Sequence, residues 1–202
     1  MNIARATLRW AAIATAVAIP IAAAAVSPLL AWRDPVYIVA GFAGVLALAL
    51  LLVQPLLAGG YLPGLPVRRG RRVHRLVGAL LVMTVVIHVA GLWVTSPPDV
   101  IDALLFASPT PFSVWGVVAM WAIFATALLA AFRWRLRLHV RTWRRLHTAF
   151  AVVIVLGSVV HAMLIEGTME AVSKAMLCAL VLAVTIKTVV DLRAFAKRTP
   201  SL

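Results

Sequence analysis

Acidic residues are scarce in this chain: six aspartates and glutamates stand among 202 residues, against nineteen lysines and arginines. Charged residues of both signs make up only 12%. An ordinary soluble domain carries about twice that fraction, so a water-facing globule is excluded. Cysteine is nearly absent. The single Cys178 lies in an apolar run, which excludes an internal disulfide framework, a thiolate metal cluster and paired-cysteine attachment of a covalent cofactor. What is abundant is apolar: 64% of the chain is hydrophobic and the mean hydropathy is +1.04.

The apolar residues fall in runs of the length that a membrane span of about 20 residues requires. Six segments stand out, at about 10–32, 36–60, 75–96, 113–132, 146–166 and 171–191. Inside a bilayer the backbone must satisfy its own hydrogen bonds, so each segment is expected to be a helix. Residues 1–202 therefore read as one integral membrane domain, with too little chain left over for a folded soluble one. Pro20, Pro28 and Pro55 should kink the first two helices or mark their ends. The first segment has a rival reading. Arg5 and Arg9, an apolar stretch and Ala22 to Ala25 resemble a cleavable signal peptide. The run continues through Leu29 and Leu30 to Trp32, which is long for such a peptide and favours a retained span.

A net charge of +13 invites a nucleic-acid partner, but the arginines sit in short segments between hydrophobic runs. That is how the cytoplasmic loops of membrane proteins look, and the partner expected is the lipid bilayer, not nucleic acid. Arg68, Arg69, Arg71 and Arg72 cluster before the third span, and six arginines lie between Arg133 and Arg145. The alternate loops carry Asp99 and Asp102, or Glu166 and Glu170 with Lys174 as their one basic residue. Arg5 and Arg9 mark one terminus; Arg193, Lys197 and Arg198 mark the other. With six spans these signals agree: a multi-pass protein of the cytoplasmic membrane, with both termini and both arginine-rich loops cytoplasmic.

Chemistry is carried by histidine. His74 and His88 are 14 residues apart on the third span, and His147 and His161 are 14 apart on the fifth. At about 100° and 1.5 Å per residue, 14 steps fall some 40° short of four turns and climb about 21 Å. Each pair thus lies near one face of its helix, close to opposite membrane surfaces. Third and fifth spans run parallel, so His74 is level with His147 and His88 with His161. Two imidazoles facing each other at one depth are what a six-coordinate haem iron needs. Gly78, Gly91 and Gly157 lie three or four residues from a histidine, where a small residue would let a flat macrocycle approach. Arg75 and Arg144, beside His74 and His147, are candidates to pair with haem propionates. His139 has no partner at the matching spacing and reads as a solvated interfacial residue.

The strings His74-Arg75-Leu76-Val77-Gly78 leading to His88, and Trp143-Arg144-Arg145-Leu146-His147 leading to His161, resemble the ferric reductase-like transmembrane domain. That superfamily includes ferric reductases, NADPH oxidases and the membrane haem subunits of bacterial methionine sulfoxide reductase systems. The resemblance covers roughly residues 40–192. It implies an all-α bundle of six transmembrane helices, with haem held between the third and fifth. It also implies that His74, His147, His88 and His161 are the metal ligands of two non-covalent b-type haems. Electrons would pass from a cytoplasmic-side donor to an external acceptor, periplasmic or extracellular. Only about ten residues follow the sixth segment and no glycine-rich dinucleotide loop is present, unlike the flavin-bearing members. The likeness is therefore to the stand-alone membrane cytochromes, with a separate reductase or flavoprotein, a bound flavin or a quinol as donor.

Two other classes stay open. A small transporter or proton channel would use the histidines as a relay, and would want acidic residues in mid-membrane. All six acids instead fall in loops or at segment ends. A membrane anchor subunit would carry one haem or none.

Overall fold

The computed structural model describes residues 3–198, and among them the regular structure is all helical. Seven α-helices follow in order: α1 (Ile3–Ala25), α2 (Pro35–Ala58), α3 (Val67–Thr95), α4 (Pro97–Leu104), α5 (Pro111–Ala131), α6 (Val140–Leu164) and α7 (Ala171–Arg198). All but α4 are long and apolar enough to cross a membrane. The third and fifth spans anticipated from sequence are therefore α3 and α6.

Helix ends differ from the apolar runs for identifiable reasons. α1 starts earlier and stops at Ala25, because Pro28 opens a separate 3-10 turn capped by Ser27, whose hydroxyl accepts from the Leu29 amide at 3.3 Å. Trp32 is left outside it, fully exposed and with a φ of 63°. α3 begins just after Pro66, so Arg68, Arg69, Arg71 and Arg72 ride its first turns instead of a loop. Arginine is a good helix former whose long stem lets the charge reach water from the edge of the apolar layer. α6 likewise begins at Val140. His139 Nδ1 caps it by accepting from the Arg141 amide at 3.3 Å, so this exposed histidine has a structural task. α2 is capped by Asp34, which accepts from the Val36 amide at 2.7 Å, and has Pro35 in its first turn. The side chains of Lys197 and Arg198 lie outside the described residues.

α2 and α3 form one tight hairpin, and α5 and α6 form a second. α2 is the most enclosed span; apolar on all sides, it has no face suited to water. Glycines set how closely the hairpins pack. A Cβ at Gly91 would stand 2.7 Å from the Ala40 Cβ. One at Gly157 would stand 3.0 Å from the Trp115 carbonyl oxygen, and one at Gly78 would stand 3.1 Å from Gln54 Nε2. These three glycines thus face the partner helix of their own hairpin, where small residues let backbones approach. The sequence reading had them cushioning a macrocycle. Offsets of three or four residues rotate a position by about 40–60°, enough to turn it to the neighbouring helix.

α7 closes the bundle by packing against both α2 and α6, and α1 lies outside it against α7 and α2. At one end Tyr61 donates to Asp191 at 2.5 Å and Lys187 pairs with the same carboxylate at 2.8 Å, tying the α2–α3 loop to α7. α3 and α6, by contrast, hardly touch each other. The histidines face the gap between them.

Candidate functional site

His74 and His88 come from α3, and His147 and His161 from α6. The structure brings them together in two layers. The ring centres of His74 and His147 are 6.1 Å apart with planes at 66°. Those of His88 and His161 are 6.4 Å apart with planes at 81°. Two imidazoles on opposite sides of one metal, with bonds of about 2.0 Å and ring centres about 1.1 Å behind the nitrogens, would stand about 6.2 Å apart. Both layers match that separation. The layers are four turns apart along α3 and α6, about 21 Å.

In the far layer, at the end away from the two arginine-rich segments, each imidazole is held by a backbone carbonyl. His88 Nδ1 lies 2.7 Å from the Ala40 oxygen on α2, and His161 Nδ1 lies 2.9 Å from the Phe112 oxygen on α5. A carbonyl only accepts, so Nδ1 carries the proton in both rings and Nε2 keeps its lone pair for a metal. The same device makes room on each side. Four residues after each carbonyl stands a glycine, Gly44 or Gly116. A Cβ at Gly44 would meet His88 Nδ1 at 3.1 Å, and one at Gly116 would meet His161 Nδ1 at 2.7 Å. The edge of the Phe112 ring adds a T-shaped contact to His161, 5.8 Å between centres.

The arginine-side layer is built differently. Nδ1 of His74 and Nδ1 of His147 are buried without a hydrogen-bond partner. His147 is positioned by stacking instead: Trp143 lies parallel to it, 5.2 Å away and tilted by 21°. The Arg133 guanidinium covers that indole at 5.1 Å. On α2, Gln54 donates to the His74 carbonyl at 3.3 Å. Arg75 and Arg144 are exposed beside these histidines, and among the described residues no ion pair engages either one.

A cavity of about 560 Å³ opens beside the far layer, lined by His88 and His161 and walled by all the helices from α2 to α7. That size is typical of a cofactor pocket. Part of its lining is polar, with Asp99, Asp102, Ser108, Thr110 and Lys174 among the lining residues. No group of three or more histidines, cysteines or carboxylates suited to a bare metal ion occurs among the described residues. A macrocyclic metal complex asks for only two protein ligands per iron, so paired imidazoles suit it. The residues present fit haem on ring separation, on the free Nε2 atoms and on cavity size.

Sequence reasoning missed Ala40, Phe112, Gly44, Gly116 and Lys174. The signal for the first four was a repeat across the hairpins, since Ala40-x-x-x-Gly44 on α2 and Phe112-x-x-x-Gly116 on α5 play the same part.

Among families of known proteins, the model described as ferric reductase like transmembrane component matches residues 43–158. That is more than half the chain and takes in His74, His88 and His147. It ends three residues short of His161, inside the stretch of 40–192 over which the sequence resemblance had been drawn. Comparison with curated proteins and with solved structures gives no match.

Proposed function

Since the chain belongs to the family of ferric reductase-like transmembrane components, we propose that it is a di-haem b-type cytochrome carrying electrons across its membrane. The observation that carries this reading is the pair of histidine layers, with ring centres 6.1 Å and 6.4 Å apart on two helices that hardly touch. His74 and His147 would hold one haem, His88 and His161 the other. When bound, such a group supplies a one-electron ferric–ferrous couple.

The chain's own residues bind, orient and insulate. The Ala40 and Phe112 carbonyls fix the far imidazoles and raise their basicity, which strengthens them as ligands. Trp143 holds the His147 ring in place on the arginine side. Apolar residues of α2 and α5, among them Leu48 and Met120, line the cavity beside the far pair. Arg75 and Arg144 are the proposed partners for propionates of the arginine-side haem.

In this reading the arginine-rich end is cytoplasmic, as basic loops predict. The donor there is a separate reductase or flavoprotein, a bound flavin or a quinol, and the acceptor lies on the external face. The testing experiment is an absorption spectrum of purified protein from a haem-replete host, with haem counted per chain. Sharp α and β bands on dithionite reduction and two haems per chain are expected. A colourless protein overturns the proposal.

A further inference from the structure

Lys174 has no task in the reading so far. It lies in the first turn of α7 and is 8% exposed, yet it lines the far cavity together with His88 and His161. Its Nζ donates to the Ile165 carbonyl at 2.7 Å, the oxygen just past the C-terminus of α6, where the helix dipole is negative. An ammonium has three donors, so two remain unused. No carboxylate pairs with it: Lys187–Asp191 is the one ion pair among the described residues. Glu170, a turn earlier, is occupied in capping α7 through the Val172 and Ser173 amides at 2.6 Å and 2.7 Å. Asp99, on the cavity wall, accepts from the Ser96 hydroxyl at 2.6 Å.

Burying a cation is costly unless an anion compensates it. Among the described residues no carboxylate stands within ion-pair distance of it; Glu170 acts on it only at longer range. The cation borders a cavity of about 560 Å³ that His88 and His161 also line. We infer that Lys174 is the carboxylate anchor of the far site, binding a propionate of the haem held by His88 and His161. This rests on the proposed function. Ser108, Thr110 and Asp99 add polar groups to the lining of the same cavity. Arg75 and Arg144 belong to the other layer, so the two sites would use different cations.

The test compares haem with its dimethyl ester, in which both carboxylates are masked. Apoprotein of the full chain carrying His147→Ala, which leaves only the far layer able to load, is titrated with each and followed by absorbance. With Lys174 in place, native haem should bind at least about tenfold more tightly than the ester. Lys174→Met should abolish that preference by weakening native haem alone, and Lys174→Arg should restore it. In the full chain with all four histidines, Lys174→Met should also move one haem midpoint to lower potential, since an unmatched propionate favours ferric iron, and leave the other unchanged. An undiminished preference in Lys174→Met, with both midpoints unmoved, overturns the inference. If the chain with all four histidines binds neither form, the proposed function itself falls.

Discussion

Gly116 faces the ring of His161 so closely that a Cβ there would come within 2.7 Å of Nδ1, the atom that donates to the Phe112 carbonyl. Gly116→Ala must therefore push the imidazole off its acceptor or α5 away from α6. Loss of such an outer partner typically lowers metal affinity about 10–100-fold. Gly44→Ala, with 3.1 Å to the His88 ring, should do the same more mildly. Haem retained per chain after purification, and its reduced spectrum, would rank the two variants. Equal, full retention in both would show that the carbonyl contacts do not hold the ligands.

Pairing within layers predicts strong non-additivity. His88→Ala and His161→Ala should each lose the same haem, and the double variant should lose no more. His74→Ala and His147→Ala should together lose the other. His139→Ala should keep both haems and show only a frayed start to α6, because its ring caps the Arg141 amide. Haem content and redox titration of the five single and two double variants read this directly. Full retention in any of the four ligand variants would refute the pairing.

Orientation is open to reporter fusions. Insertions near Arg69 and Arg137 should report from the cytoplasm, and those near Asp102 and Thr168 from outside. Fusions to the two termini should agree with each other. Opposite sides would mean that α1 is removed or does not span.

Stability should fall in acid at the start of α7. Ser173, and after it the Val172 amide, hold the Glu170 carboxyl below the usual glutamate range. A carboxyl depressed on folding stabilises fully above its unfolded pKa, and this contribution is lost as pH falls through the folded value. Thermal unfolding in detergent, followed from neutral pH down through the carboxylate range, should show this acid slope. Glu170→Gln should lower stability at neutral pH and flatten it. An unchanged slope in Glu170→Gln would assign it to other carboxylates.

The six spans and the level histidines were legible in the sequence because both are local arithmetic. Apolar length gives the spans, and a spacing of 14 on two parallel helices gives the layers. Ala40, Gly44, Phe112 and Gly116 were not, because they depend on how α2 registers against α3 and α5 against α6. Nothing in one strand of sequence sets that register. Once one contact is known the rest follows: Ala40 to Gln54 spans the same 14 residues as His74 to His88, so α2 meets both layers of α3. Lys174 was hidden for another reason. In sequence it is a lone basic residue in an acidic connection, and only the closure of α7 over the cavity buries it.

The gap between α3 and α6 bears on how the protein is made. Hairpins α2–α3 and α5–α6 can each enter the bilayer complete, but little joins them until α7, which follows both in the chain, lays itself across α2 and α6. Until then the cleft is open on the side that α7 will cover. If the proposed function holds, delivery of a flat prosthetic group has a window that shuts when α7 docks, and Lys174 arrives with the door.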